Sequence, residues 1–397
     1  MEDGKNKNMR ATFASCYVTL LKTAIGSGAL SFPYLFKTYG IVPSIILTII
    51  SGAFAVVGLI LYVICAHENG RNTTLSELAS ISMPYTKLIV DFSVFLKCFG
   101  VALSYLIITR QLLPVVIETV FGHTLVNNPK TLLVVFLAFI GPFCYFQKLD
   151  KLKYTSFCGI LAIVFVVIAT FYRYSHTEIP KNIVSLYFTV PNFSYLGGFG
   201  KFVFSFTCHQ NIFAIHSEMD DNSISKMKKL IYSVSLSALV LYISFGLVNY
   251  LLYGQIVKDN VIQNYPNDVL ATIVRFLYII VMGVSYPLQV NPCRTYLIKM
   301  IAIKFKEGER KILSFIVTTM IILLTYSIAV SGMDLGLVYT IIGATASTFM
   351  CLIFPSLFYF NMDIERSTAL DILSYLSFLF GVFVFSSTIY SVVYHKI

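Results

Sequence analysis

The 397-residue chain predicts an all-α membrane protein of eleven transmembrane helices, and three observations carry that prediction. The first is composition: 57% of residues are hydrophobic and 12% charged, with a mean hydropathy of +0.79. A soluble domain carries about 25% charged residues, so this balance excludes a water-soluble enzyme, a disordered tail protein and a fibrous repeat. The second is a succession of eleven apolar runs, each near the ~20 residues a helix needs to cross a hydrocarbon core about 30 Å thick. The third is the placement of basic residues in short clusters between the runs.

Taken in order, Met1–Arg10 forms a short polar N-terminus with no small-residue cleavage site after it, so the first span itself is expected to direct insertion. Runs follow at 11–38, 41–66, 87–117, 131–147 and 154–173. After the polar stretch 174–195 come 196–218, 229–253, 268–298, 312–331 and 335–361, and a last run covers 370–394. With the N-terminus cytoplasmic, the inner segments hold seventeen Lys and Arg residues and the outer segments six. That asymmetry in short loops places the N-terminus inside and the C-terminus outside, which requires an odd number of spans. The same loop clusters account for the net charge of +10 without a nucleic-acid partner. Trp is absent, so Tyr residues at run ends (Tyr85, Tyr172, Tyr187, Tyr253 and Tyr394) serve as interfacial anchors. The eight cysteines form no CxxC pair and imply neither a disulfide framework nor a zinc site. Seven read as small packing residues, and Cys208 is set apart by its neighbours. One glycosylation sequon, at Asn192, lies in the outer loop a few residues before a span.

Two runs are interrupted. The first contains Gly26-Ser27-Gly28, and each glycine weakens a helix by about 1 kcal/mol. On those residues alone, close helix packing through small side chains accounts for them equally well. The sixth contains Thr207-Cys208-His209-Gln210-Asn211, five consecutive polar or soft side chains near mid-bilayer. Polar groups at that depth line a cavity or satisfy freed backbone groups. The interruptions are five spans apart. Because five is odd, two five-span units would insert with opposite orientation, the plan of secondary transporters whose broken first helices enclose a midplane substrate. Repeat one then covers about 11–173, repeat two about 196–361, and the helix at 370–394 stands outside the pair, all within one domain, 11–397.

At these residues a family resemblance appears. Lys22 to Tyr34 (KTAIGSGALSFPY) resembles the opening of the amino acid/auxin permease family, also called the amino acid transporter transmembrane family. Phe202 to Phe213 (FVFSFTCHQNIF) is similar to span six of its neutral amino acid transporters, and Ser285 to Arg294 (SYPLQVNPCR) to span eight of its fungal vacuolar members. The resemblance covers essentially the whole chain. It implies eleven spans of the LeuT type and amino acid symport or antiport with Na⁺ or H⁺. Gly26, Ser27 and Gly28 would then present backbone groups to the substrate carboxylate, and Thr207, Cys208, His209, Gln210 and Asn211 would line the opposite side and hold the amine. Sodium-coupled members tend to have Asn where Lys22 stands and Thr where Ser285 stands, so this chain departs from the sodium pattern.

Lys22 lies about twelve residues into its span, about 18 Å from the inner end. An ammonium there would occupy the space Na⁺ would otherwise hold, and an amine in such a place can load and release a proton. The resemblance makes Ser285 a further ion-coupling candidate, and His209 is a second titratable one. The acids Asp91, Glu118, Glu218 and Asp334 all lie near span ends. No carboxylate stands at mid-depth to receive a cationic side chain, so a neutral amino acid is the expected substrate. Lys97, Arg110 and Arg275 read as interfacial or interhelical pair partners. The function expected is proton-coupled transport of neutral amino acids by a monomer in the lipid bilayer, with no cofactor beyond H⁺ or Na⁺, no metal and no catalytic residues. A vacuolar or lysosomal membrane, or the plasma membrane, is its expected location. A sodium-coupled symporter and an amino acid sensor of the same fold stand as alternatives.

Overall fold

The structure, a computed structural model, describes residues 10–122, 128–146, 152–177, 193–301 and 307–395. The sequon at Asn192, the anchor Tyr187, the polar start 1–9 and several basic loop residues, Lys148, Lys151, Lys304 and Lys306 among them, lie outside those residues. The described elements are helical throughout. The first apolar run holds α1 (Phe13–Ile25) and α2 (Phe32–Tyr39), joined by a 3-10 turn, Ser27–Ser31. Gly40, at φ 84°, turns the chain straight into α3 (Ile41–Asn69), a backbone angle that favours glycine. A short helix, α4 (Leu75–Ser82), then appears where the sequence showed only a polar connection. Its N-terminus is a capping box: Thr74 Oγ1 accepts from the Glu77 N–H while Glu77 Oε2 accepts from the Thr74 N–H.

The chain continues through α5 (Lys87–Phe121), α6 (Pro129–Ile140) and α7 (Leu152–His176). The sixth run is divided into α8 (Phe199–Ser205) and α9 (His209–Glu218). After α10 (Ile224–Tyr253), α11 (Val269–Ile301) and α12 (Glu307–Val330), the tenth run starts as α13 (Leu335–Ile342) and ends as α14 (Phe354–Asn361). Between them the turns widen to π geometry over Gly343–Ser347 and Phe349–Ile353, which the sequence reading did not foresee. The last helix is α15 (Thr368–His395). Among the described residues, nine helical stretches are long and apolar enough to cross a membrane, and Pro129–Tyr145 is a shorter apolar helix.

Burial follows the logic of a bundle in lipid. Helix α5 packs most extensively against α11, and Leu106, Ile107, Ile108 and Leu112 on α5 are buried. By contrast α12 and α15 turn Ile312, Phe315, Leu323, Leu376 and Leu379 outward. In water such a surface would aggregate, but against acyl chains it is the required one. Seven of the eight cysteines are buried. Cys158 corrects the packing expectation, because it lies exposed on α7.

Candidate functional site

Two interruptions of helix face each other in the middle of the bundle. In the first run the chain leaves α1 at Gly26 (φ 15°, ψ −150°), and α2 restarts with Pro33 in its first turn, where no N–H donor is needed. Two of the freed carbonyls are satisfied by hydroxyls: Ser31 donates to Gly28 C=O (2.9 Å), and Tyr339 donates to Ser27 C=O (3.0 Å). Ser27 Oγ lies 3.1 Å from Ser104 Oγ on α5. In the sixth run α8 stops at Ser205, and Phe206-Thr207-Cys208 lead into α9. There the Thr207 hydroxyl donates back to Val203 C=O (2.9 Å). The two breaks touch: a Cβ on Gly28 would stand 3.2 Å from Ser205 Cα. The Tyr242 hydroxyl lies 2.6 Å from both Ala24 C=O and Ser205 C=O, so one proton serves the ends of α1 and α8 together.

Between the breaks is a cavity of about 40 Å³. Gly26, Ser27 and Gly28 line one side, and Phe204, Ser205 and Thr207 the other. Lys22, Lys97, Tyr105 and Gln289 also line it, and no carboxylate is among its lining residues. At roughly 15 Å³ per water, the space holds a few waters and not an amino acid. Lys22 donates to Ser285 Oγ at 3.1 Å, joining α1 to α11. Gly159 on α7 makes room for it, since a Cβ there would stand 3.3 Å from Lys22 Cε.

The structure thus brings Gly26, Ser27, Gly28, Thr207 and Lys22 to one cavity, with Ser285 touching Lys22. The remaining residues singled out in the sequence lie outside its wall. His209 is fully buried, its Nε2 3.0 Å from Ala55 C=O and its Nδ1 3.1 Å from Cys351 Sγ. It holds α9 against α3 and the tenth run. Asn211 donates to Thr23 Oγ1 (2.9 Å), tying α9 to α1. Cys208 is buried beside the break, and Gln210 Oε1 is buried without a hydrogen-bond partner among the described residues.

Lys97 corrects the sequence reading. Expected as an interfacial or interhelical pair partner, it is 4% exposed and lines the cavity. Among the described residues no hydrogen bond or ion pair engages its ammonium. Its depth was the available signal: it stands ten residues into α5, about 15 Å along the helix. Arg275 behaves as expected, donating to Asn267 Oδ1 (3.1 Å) and Tyr265 C=O (2.5 Å) beside the start of α11. Arg110 is partly exposed. Tyr105, Tyr242, Tyr339 and Gln289 were not foreseen, because nothing in an apolar run marks which Tyr or Gln turns inward.

Contacts draw the elements together on both sides of the cavity. At the end carrying the N-terminus, the Ala11 N–H donates to Glu218 C=O (2.8 Å) and the Asp220 N–H to Ala11 C=O (3.1 Å). Arg71 reinforces this by donating to Ser217 C=O (3.0 Å) and to Met219 C=O. Nearby, the Ser223 hydroxyl and N–H hold the Asp221 carboxyl below its usual range. At the opposite end Lys201 Nζ pairs with Asp259 Oδ1 at 2.9 Å, with side chains 9% and 11% exposed. The Lys201 ammonium also lies 4.7 Å over the Tyr34 ring. On the same side the Arg173 guanidinium donates to both oxygens of Asp268 (2.9 and 2.6 Å) and holds that carboxyl below its usual range.

Comparison with known proteins bears on the family and the fold. The family model described as transmembrane amino acid transporter protein matches residues 9–394. Vacuolar amino acid transporter 5 of Saccharomyces cerevisiae is 27% identical, over 97% of this chain and 99% of its own length. The protein of the same name in Schizosaccharomyces pombe is 30% identical, over 88% of this chain and 85% of its own. Sodium-coupled neutral amino acid symporter 2 of Danio rerio is 24% identical, over 90% and 77%. Among solved structures, MhsT in complex with L-phenylalanine superposes with a TM-score of 0.64 at 12% identity, covering 94% of this chain and 98% of its own, which shows the shared LeuT-type fold. These homologues are transporters, not enzymes. The chain belongs to the transmembrane amino acid transporter protein family.

Proposed function

We propose that this protein is a secondary active transporter of amino acids that works by alternating access and is coupled to protons. The observation that carries the reading is the Lys22 ammonium, seated 3.1 Å from Ser285 Oγ in the wall of the cavity between the two breaks. A lysine there fills the place a coordinated cation would need and supplies a group that can take up and release a proton. The first N–H groups of the 3-10 turn at Ser27 and Gly28 have no partner within that turn and are the donors for the substrate carboxylate. Ser205 and Thr207 face the amine. Since no acid lines the cavity, a side chain bearing a second ammonium is disfavoured, and neutral amino acids, named for the sodium-coupled relatives, meet that condition. The two breaks belong to five-span repeats of opposite orientation within an eleven-span, monomeric bundle. Its N-terminus is cytoplasmic, and the vacuolar relatives support a vacuolar or lysosomal membrane.

The test is uptake by the purified protein in sodium-free liposomes under an imposed pH gradient, with a radiolabelled mixture of amino acids. Gradient-driven uptake is expected, and Lys22→Ala should reduce it at least tenfold while leaving exchange of amino acid across the membrane. Uptake that requires added Na⁺ would overturn the proton assignment and leave the transporter. Binding of amino acids with no uptake under either gradient would favour the sensor.

A further inference from the structure

Lys97 raises a question that the proton-coupling residue does not answer. The cavity holds two lysines and no acid. Lys22 has Ser285 as a partner, whereas Lys97, 4% exposed, has no hydrogen bond or ion pair among the described residues. A buried ammonium is unfavourable unless an anion or several acceptors compensate it. The carboxylate closest to it in sequence, Asp91, lies six residues away on the same helix, and among the described residues it forms no ion pair with Lys97. A neutral amino acid does not meet the demand, because its carboxylate and ammonium cancel and the occupied cavity keeps the same net charge. A substrate with an anionic side chain adds one negative charge.

The layout of α5 provides the place for it. Ser104 touches Ser27, whose N–H opens the 3-10 turn and so has no acceptor within it. Lys97 lies seven residues away, two helical turns along the same face. The site therefore has a main-chain anion subsite near Ser27 and a lysine two turns distant. We propose that Lys97 is a specificity residue that binds the side-chain carboxylate of an acidic amino acid, extending the substrate class to glutamate and aspartate. This rests on the transport reading above.

The test compares glutamate with glutamine, which match in shape and differ in charge. Liposomes containing the full-length protein are preloaded with alanine, and competition against counterflow of radiolabelled alanine is measured, so no ion gradient is needed. Glutamate is expected to compete about tenfold more strongly than glutamine. In Lys97→Met that preference should be lost or reversed, and Lys97→Arg should keep it. Equal competition by glutamate and glutamine in the unaltered protein would overturn the proposal, and that result does not depend on any variant folding. A Lys97→Met protein that weakens both equally would also overturn it, assigning Lys97 to the shared α-carboxylate. Absence of counterflow for alanine and for every other amino acid would remove the transport reading and this proposal with it.

Discussion

Gly58 and Gly159 are both positions where a missing side chain makes room for the site, and they differ in what a methyl group would strike. A Cβ on Gly58 would fall 2.0 Å from Cys351 C=O and 3.0 Å from His209 Nε2. Main chain cannot swing aside, and the contact lies where Pro355, four residues on, has no N–H to return to Cys351. Gly58→Ala gains at most about 1 kcal/mol of helix propensity and is expected to lose about 3 kcal/mol to overpacking. Thermal unfolding in detergent measures this, and an unchanged midpoint would count against the packing described. At Gly159 the neighbour is Lys22 Cε, the far part of a flexible side chain, at 3.3 Å. Gly159→Ala should therefore unfold like the unaltered protein yet show gradient-driven uptake reduced several-fold, because Lys22 is displaced from Ser285.

Short helices become stable elements here only through their neighbours. Helices of 7 and 10 residues, such as α8 and α9, would not persist alone in water. In the bundle their ends are held by Tyr242, which also stacks on Phe32 at 4.3 Å, and by the His209 contacts. Helix α8 is further anchored by Lys201, whose partner Asp259 lies in the connection between α10 and α11. Removing one member of a largely buried pair leaves the other charge uncompensated. Lys201→Met and Asp259→Asn are each expected to destabilise by about 3 kcal/mol. The double variant should lose much less than the sum of the two, as a double-mutant cycle on thermal unfolding would show. Additive losses would mean that the two charges do not support each other.

The molecule as a whole is held together on both sides of a space too small for an amino acid. Main-chain bonds between Ala11 and the Glu218–Asp220 segment hold one side, and the Lys201–Asp259 pair holds the other. On the transport reading proposed above, each would open in turn, and a substrate would bind the open forms and favour closure. The closed form should also tolerate an acidic compartment. Asp268 is held below its usual range chiefly by its hydrogen bond from Arg173. A carboxyl depressed in the folded state contributes stability above its unfolded pKa, about 3.9, and loses it as pH falls further through the folded value. Its contribution should therefore be constant from pH 7 to pH 5 and decline only below about 4. Comparing Asp268→Asn with the unaltered protein in detergent across that range checks this, and a difference that already shrinks at pH 5 to 6 would contradict the pairing.

Depth along the bilayer was readable from the residues; direction around each helix was not. Long apolar runs place the spans because a helix must be about 20 residues long to cross, and Gly26-Ser27-Gly28 and Thr207–Asn211 stand out because polar or flexible residues are unfavourable there. Lys22 could be recognised by its depth for the same reason. In a soluble helix the polar face points to water and so reveals the buried one, but in lipid both faces are apolar and that signal disappears. Only the packed bundle could show that Ser285, 263 residues away, meets Lys22. Packing alone likewise turned His209 toward Ala55 and Cys351 rather than into the cavity, left Cys158 on the outside, and put Lys97 in the cavity wall.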